Sequence, residues 1–236
     1  MNKSKIIFFC AVSEILIIIF ISIANMFEGV VFGIFYNVLY GLVISTILPI
    51  FLLLTDKEDF SSVGIKKIGA RQSVVLVAFV VFSIGGQLIP KIIAREYIAW
   101  TRLPLAISPL IMTTFFEEFL FRGFVQTRVE KDFGAIIAIL ISAVMFSVYH
   151  LGYPGFRTVG DILLLFAVGL GFAIAYKLSD NSLIVSYFVN LPNAFVTYVF
   201  KSEQFPKFTV ESNIYAMLTI VAVFIILIVS KERMKR

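Results

Sequence analysis

The sequence predicts an all-α membrane protein, a polytopic bundle of about eight transmembrane helices. Of its 236 residues, 60% are hydrophobic and 15% are charged, and the mean hydropathy is +0.99. So little polar surface cannot cover a soluble globule of this size, because apolar side chains would then face water. The apolar residues are also grouped into long runs that short polar segments separate. These two observations favour an integral membrane protein over a soluble domain.

Each apolar run is long enough, or nearly so, to cross about 30 Å of hydrocarbon at about 1.5 Å per residue. The first run follows MNKSK and is too long for a signal peptide, so we expect it to remain as a helix. Connections are short apart from residues 55–71, and no linker or repeat divides the chain, which predicts one membrane domain over residues 1–236. The predicted spans are residues 6–27, 30–54, 72–93, 103–127, 133–151, 161–179, 182–200 and 212–230.

The basic residues predict that both termini lie in the cytoplasm. Lys and Arg are retained preferentially on the cytoplasmic side of a membrane, and an even number of spans puts both ends on one side. With the termini inside, most Lys and Arg residues also lie inside. This clustering accounts for the net charge of +5 without nucleic-acid binding. We therefore expect a multi-pass protein of the cell membrane, surrounded by the lipid bilayer.

Three ionisable residues lie in the apolar stretch TTFFEEFLFRGF, residues 113–124. A carboxylate at the bilayer centre costs at least about 2.5–3.5 kcal/mol, so each one needs a partner, water or a proton. Glu118 and Arg122 are four residues apart on one helical face, in the order that favours an ion pair. Glu117 points about 100° away and has no basic residue at i+3 or i+4. We interpret Glu118 and Arg122 as a structural pair and Glu117 as available for chemistry; a purely structural anchor is the alternative.

His150 is the only histidine and ends the sequence FSVYH. A Glu and a His in one protected cavity are the minimum pair for activating water, because the carboxylate accepts a proton and the imidazole positions or shares it. A lone histidine near a helix end also fits a packing role. Counted from the predicted inner ends of their spans, Glu117 lies about 15 Å deep and His150 about 27 Å deep. The two can meet only if helices tilt or if the predicted inner boundary of one span is wrong.

A third polar cluster interrupts the seventh span in SLIVSYFVNLPNAF, residues 182–195. Ser186 and Asn190 lie at i and i+4 and share one helical face. Ser and Asn side chains commonly join helices by hydrogen bonds in membranes. An Asn amide can also donate to a developing oxyanion, which needs a fixed N–H group without charge. Both roles stay open for Ser186, Asn190 and Asn193.

A metal centre is the weaker interpretation of these residues. A catalytic zinc site usually takes three protein ligands, and this chain offers one His and a single cysteine, Cys10, in a distant helix. Glu117, Glu118 and His150 could hold a divalent metal, but Arg122 beside them would oppose cation binding. The sequence therefore predicts a reaction without a cofactor, with metal as the alternative.

Three sequence motifs together resemble a known family. EEFLFR matches the motif EExxxR, FSVYH matches FxxxH, and LGFAIAYKLSDNSL resembles the glycine-rich helix and turn before a third motif. These are motifs of the CAAX protease and bacteriocin-processing (CPBP) family, also called Abi, which includes the type II CAAX prenyl endopeptidases. The resemblance covers about residues 115–194, within a family core of about residues 103–200.

The resemblance implies an eight-helix intramembrane hydrolase. In the family, the first Glu and the His of the second motif activate the attacking water, and the second Glu pairs with the Arg. Glu117 would then be the base, with His150 as its partner. Glu118 and Arg122 would form the structural pair, as the helical spacing also indicates.

The third motif of the family, HxxxN, is degenerate in this chain. An ungapped alignment puts Asn190 at the position of the His and Ala194 at that of the Asn, with Asn193 one residue earlier. A shifted alignment puts Ser186 and Asn190 at these two positions instead. In either case the His is absent. Asn190 can replace it if the His only donates a hydrogen bond to the oxyanion.

The sequence therefore predicts an intramembrane peptidase that cleaves membrane-associated peptides or proteins. Its predicted catalytic residues are Glu117, His150 and Asn190, with Asn193 and Ser186 as further oxyanion support. The alternative is a catalytically impaired relative that binds a membrane-protein partner as a scaffold, a regulator or a bacteriocin self-immunity protein. A transporter is the weakest alternative, because the stretch LGYPG and the buried charges give it little specific support.

Overall fold

A computed structural model describes residues 3–155, 158–200 and 209–234. Within these ranges the chain is helical without strands, and eight helices are long and apolar enough to cross a membrane, which confirms the predicted fold class. These helices are α1 Lys3–Ala24, α2 Gly29–Thr55, α3 Ala70–Ile93, α4 Trp100–Phe133, α5 Ala135–Gly152, α6 Val159–Leu178, α7 Leu183–Phe200 and α8 Val210–Met234.

Helix α4 lies at the centre of the bundle, and α3 lies at its edge. In α4, 61% of the most apolar window is buried inside the protein, whereas none of the α3 window is. The side chains of Phe116, Phe119, Phe121 and Phe124 on α4 are completely buried. Large aromatic side chains bury the most apolar area per residue, so α4 is the helix around which the others pack.

Two spans depart from regular α-helix where they pack closely. Residues Gly33–Ile47 of α2 and Glu118–Gln126 of α4 are π-helical, with wider turns than an α-helix. Gly41 lies in the first π-helical segment against Phe116, and a Cβ atom at this position would overlap the Phe116 ring. The missing side chain lets α2 approach α4 closely, beside the start of the second π-helical segment.

Gly41→Ala is expected to lower the free energy of unfolding by about 1–3 kcal/mol, because the added methyl overpacks a closed core. The matched control is Gly86→Ala on α3, where an added Cβ meets no atom within 4 Å. That change should raise stability by about 0.5–1 kcal/mol through the better helix propensity of Ala. Thermal unfolding in detergent would measure both effects. Equal shifts for the two variants would contradict the close contact at Gly41.

The connection between α2 and α3 is packed rather than loose. Its short turn, Phe60–Val63, lies against α4, and Val63 is completely buried. Gly64 follows at φ 84°, and its carbonyl accepts a hydrogen bond from the Leu183 amide at the start of α7 (2.9 Å). We call residues 59–64 the inner turn. It closes the bundle between α4 and α7 on the side where the first helix begins and the last helix ends, which we call the terminal side.

The inner end predicted for the fourth span, residue 127, is wrong. Helix α4 continues to Phe133, and Gly134, at φ 86°, turns the chain directly into α5 at Ala135. Counted from this shared turn, Glu117 lies about 24 Å along α4 and His150 about 22 Å along α5. The two residues therefore lie at similar heights, and the mismatch of depths came from the misplaced boundary.

Candidate active site

Glu117 lies where α4 changes from α-helix to π-helix, and its carboxylate is held from two sides. The Tyr149 hydroxyl donates a hydrogen bond to Oε1, and the Asn190 amide nitrogen Nδ2 donates to Oε2 (3.0 Å). Hydrogen bonds to a carboxylate are stronger than those between neutral groups. The side chain is 8% exposed, so Glu117 is fixed in orientation yet not fully covered.

Glu118 and Arg122 form an ion pair behind Glu117. Their nearest charged atoms lie 3.4 Å apart, and both side chains are buried. The Arg122 guanidinium also donates to the Gly169 carbonyl (3.3 Å) and lies 4.5 Å from the centroid of the Phe146 ring. A Cβ atom at Gly169 would lie 3.0 Å from that ring, so the glycine admits this packing of α6. The ion pair is therefore buried and is held by contacts with α6 and with the Phe146 ring.

Asn190 joins the two carboxylates. Its Nδ2 group donates to Glu117 and also to Glu118 Oε1 (2.8 Å), so both of its amide hydrogens point at carboxylate oxygens. One turn earlier on α7, the Ser186 hydroxyl donates to Glu118 Oε2. Ser186 is completely buried and lies on the side of the ion pair. In this arrangement, the Ser186 hydroxyl contacts Glu118, and its role in oxyanion support stays a prediction.

His150 lies in a single turn of 3₁₀ helix, Tyr149–Gly152, at the end of α5. Its Nδ1 atom is 2.7 Å from the Phe146 carbonyl oxygen. Because a carbonyl can only accept a hydrogen bond, Nδ1 carries a proton in this contact, and Nε2 is an acceptor whenever the ring is neutral. This tautomer suits a group that receives a hydrogen bond from water.

Glu117, His150 and Asn190 line the same cavity of about 630 Å³, and Asn193 lines it as well. Glu118, Arg122 and Ser186 are not among its lining residues. The two adjacent glutamates therefore lie in different surroundings, one at the cavity and one in the ion pair. Successive residues of a helix point in different directions, so the helix itself separates the two glutamate side chains.

The structure adds a group of hydroxyls that the sequence analysis missed. The Tyr36 hydroxyl is hydrogen-bonded to Tyr153 (2.9 Å) and Thr113 (3.2 Å), and all three residues line the cavity beside Tyr149. Thr113 precedes Glu117 by four residues and Tyr149 precedes His150 directly, so helical spacing and adjacency could have indicated these two. Tyr36 lies on α2, far away in sequence, and had no such signal.

Asn193 is held by a polar network between α3 and α7. Its Oδ1 atom accepts hydrogen bonds from the Ser83 hydroxyl (2.9 Å) and from Gln87 Nε2, and Gln87 Oε1 accepts one from Thr197 (3.0 Å). Gln87 Nε2 also donates to the Ser83 backbone carbonyl (3.4 Å), which can only accept. This fixes the Gln87 amide and hence the Asn193 amide. The network contacts Oδ1 of Asn193, so Nδ2 lies on the opposite side of the same amide group.

The side chains near Glu117 do not fit a metal centre. Within the described ranges, no three His, Cys, Asp or Glu side chains lie together as metal ligands. Of the candidate ligands, both glutamates accept hydrogen bonds from Asn190, and Glu118 is paired with Arg122. A reaction without metal stays a prediction.

The chain is similar to a known protein family over part of its length. A family model described as type II CAAX prenyl endopeptidase Rce1-like matches residues 99–195. The matched segment runs from the start of α4 into α7 and contains Glu117, His150 and Asn190. No curated protein and no solved structure matches the chain.

Proposed function

Since residues 99–195 form an Rce1-like domain of the CAAX-type intramembrane protease family, we propose that this protein is an intramembrane peptidase. It hydrolyses peptide bonds of membrane-associated peptides or proteins with a water molecule that Glu117 activates. The observation that carries the proposal is the convergence of Glu117, His150 and Asn190 on one cavity, at the end of an otherwise buried polar cluster.

The chemistry needs a base, a second acceptor for the water and an electrophilic carbonyl. The Glu117 carboxylate takes one proton of the water while the water oxygen bonds to the carbonyl carbon, and His150 Nε2 accepts a hydrogen bond from the other proton. The carbonyl electron pair moves to its oxygen and creates the oxyanion. The electron pair of the oxyanion then re-forms the C=O bond as the C–N bond breaks, and the nitrogen keeps the C–N electron pair and takes the proton from Glu117. The products are an acid and an amine, and Glu117 is again a carboxylate.

Asn190 and Asn193 are the proposed donors to the oxyanion. While Glu117 is charged, Asn190 donates to it. When Glu117 is protonated, this hydrogen bond weakens because the acceptor has lost its charge. The N–H group can then turn to the oxyanion, which becomes charged in the same step. Asn193 Nδ2, one turn further along the same face of α7, supplies the second donor.

Asn190→Ala is expected to lower the single-turnover cleavage rate by about 10²–10³-fold, the usual effect of removing one oxyanion donor. Asn190→His restores the residue type of the family at this position and should keep most of the activity. The assay is peptide cleavage by protein reconstituted in liposomes, followed by mass spectrometry over a broad set of membrane peptides. A rate unchanged in Asn190→Ala would remove this residue from the mechanism.

Strong chelators are expected to leave cleavage unchanged, because the site residues do not form a metal-ligand set. The measurement compares the rate in the same liposomes before and after incubation with EDTA or phenanthroline. A magnesium or zinc add-back series serves as the control. Loss of activity that a divalent ion restores would contradict the mechanism without metal.

A second candidate function is binding without catalysis. The missing third-motif His favours it, as does the use of both Asn190 amide hydrogens by carboxylates. Such a protein would act as a membrane scaffold, a regulator or a bacteriocin self-immunity protein. It is favoured if the wild type cleaves no peptide and Glu117→Gln preserves the cellular phenotype. Cleavage by the wild type that Glu117→Gln abolishes favours the peptidase.

A further inference from the structure

We infer that Ser83 and Gln87 on α3 are positioning residues for the proposed reaction. They hold the side-chain amide of Asn193 in one orientation, with Oδ1 towards α3, so that the N–H groups of Nδ2 are directed away from α3 and are prepared for the oxyanion. This role rests on the proposed peptidase function. It does not follow from the family resemblance, because α3 ends at Ile93, before the matched residues 99–195.

Helix α3 carries two polar side chains in an otherwise apolar stretch. From Val74 to Pro90, Ser83 and Gln87 are the only residues with polar side chains. None of the most apolar window of α3 is buried inside the protein, and a polar group at the edge of a membrane bundle is costly without a hydrogen-bond partner. The two residues are four apart and share one helical face. Both side chains contact the same atom, Asn193 Oδ1.

The orientation of the Asn193 amide follows from which atoms can donate. Gln87 Nε2 donates to the Ser83 backbone carbonyl (3.4 Å), so Gln87 presents N–H groups on the side of Asn193. The Asn193 atom that meets them must be an acceptor, which is Oδ1. The Ser83 hydroxyl donates to the same oxygen (2.9 Å), and two donors match its two lone pairs. A rotated amide would instead bring the N–H groups of Nδ2 against those of Gln87.

This orientation matters because an oxyanion is stabilised best by N–H donors that are already in place. A rotated Asn193 amide would present Oδ1, which carries a partial negative charge, to the developing oxyanion. The two proposed donors are held in different ways. Asn190 is held through its N–H groups, which donate to Glu117 and Glu118, whereas Asn193 is held through its oxygen. Asn190 must therefore turn during the reaction, while Asn193 is oriented before it begins.

The alternative role for Ser83 and Gln87 is to join α3 to α7, since polar side chains commonly connect helices in membranes. The two roles differ in their dependence on Asn193. A positioning role acts only through this residue, whereas a packing role affects the protein with or without it. Gln72 offers a comparison on the same helix, because its Nε2 donates to Asp180 Oδ2 (3.0 Å) in the turn between α6 and α7. Gln72 is not among the residues that line the cavity.

Removing both donors from Asn193 tests the positioning role. The double variant Ser83→Ala with Gln87→Met should lower the single-turnover cleavage rate at saturating peptide by about 10–10²-fold and leave KM within about twofold of the wild type. The loss should be smaller than that in Asn193→Ala, about 10²–10³-fold, because the freed amide can still turn to the oxyanion. Gln72→Met is the matched control and should leave the rate unchanged. The assay is peptide cleavage by protein reconstituted in liposomes.

A double-mutant cycle separates positioning from packing. In an Asn193→Ala background, the same two changes on α3 should cause no further loss of rate, because the group that they orient is already absent. Thermal unfolding in detergent checks that each variant is folded. The single variant Gln87→Met keeps the hydrogen bond from Ser83 and goes through the same cycle, so a double variant that does not fold still leaves a decisive comparison.

An equal loss of rate in the presence and absence of Asn193 would overturn the positioning role and assign Ser83 and Gln87 to helix packing. A raised KM with an unchanged rate at saturation would overturn it as well, because the two residues would then bind the substrate. In both cases the wild type still cleaves, and the peptidase proposal stands. A wild type that cleaves no peptide overturns the peptidase proposal, and the positioning role with it.

Discussion

Glu117→Gln is expected to lower the single-turnover cleavage rate by about 10²–10⁴-fold, the range supplied by a positioned general base. The amide keeps the shape of the side chain but cannot take a proton from water. Its oxygen can still accept from Asn190, and its nitrogen can donate to the Tyr149 hydroxyl oxygen. The fold should therefore stay intact, and the thermal midpoint in detergent should change little.

Glu14→Gln is the matched control for this result. Glu14 is another carboxyl group inside the bilayer, on α1, but it does not line the cavity. Its removal should leave the cleavage rate unchanged. A rate for Glu117→Gln within twofold of the wild type would exclude Glu117 as the base. A large fall in its thermal midpoint would instead give Glu117 a structural role.

Arg122→Met is expected to lower the free energy of unfolding by about 3–5 kcal/mol, the usual cost of removing one partner from a buried ion pair. The change leaves the Glu118 carboxylate without its cation inside the bundle. Unfolding in mixtures of mild detergent and dodecyl sulfate would measure the loss. Lys131→Met provides the control, because Lys131 is a half-exposed cation at the membrane surface that pairs with Glu58 (2.9 Å). A surface pair contributes about 0–1 kcal/mol.

The double variant Glu118→Gln with Arg122→Met decides whether the two charges act as a pair. If they do, the double variant should lose less stability than the sum of the two single variants, since neither charge is then left alone. If the losses of stability in the two single variants add up exactly, each side chain contributes to stability through its own separate contacts. Such contacts include the packing of Arg122 on Phe146 and the hydrogen bond from Ser186 to Glu118.

Spacing along the sequence was sufficient to predict contacts between residues of the same helix. The four-residue separation of Glu118 and Arg122 indicated their contact, because residues at i and i+4 meet on a helical surface. The ring contact between Phe146 and His150 has the same spacing. The division of the two glutamates between the ion pair and the cavity likewise follows from the angle between successive helical residues. Depth was not available from spacing, because it depends on where each helix ends.

The long-range contacts had no local signal. Tyr36 and Tyr153 are 117 residues apart in sequence, and Ser83 and Asn193 are 110 apart, yet each pair is hydrogen-bonded. Such pairs depend on which helices become neighbours in the bundle. The third motif indicated Asn190 as a candidate. Its hydrogen bonds to both carboxylates depend on how α4 and α7 are placed relative to each other.

The sequence by itself determined the membrane class, the eight spans and the family resemblance. It also identified the polar residues in the spans that need a polar partner. It could do so because the bilayer imposes a length and a composition on every span, and because an isolated charge there is costly. Only the tertiary structure decided that Glu117 meets His150 and Asn190 at one cavity, and that Asn190 also contacts Glu118. Those properties arise from packing between distant segments, such as the inner turn against α4, and packing is a property of the whole bundle.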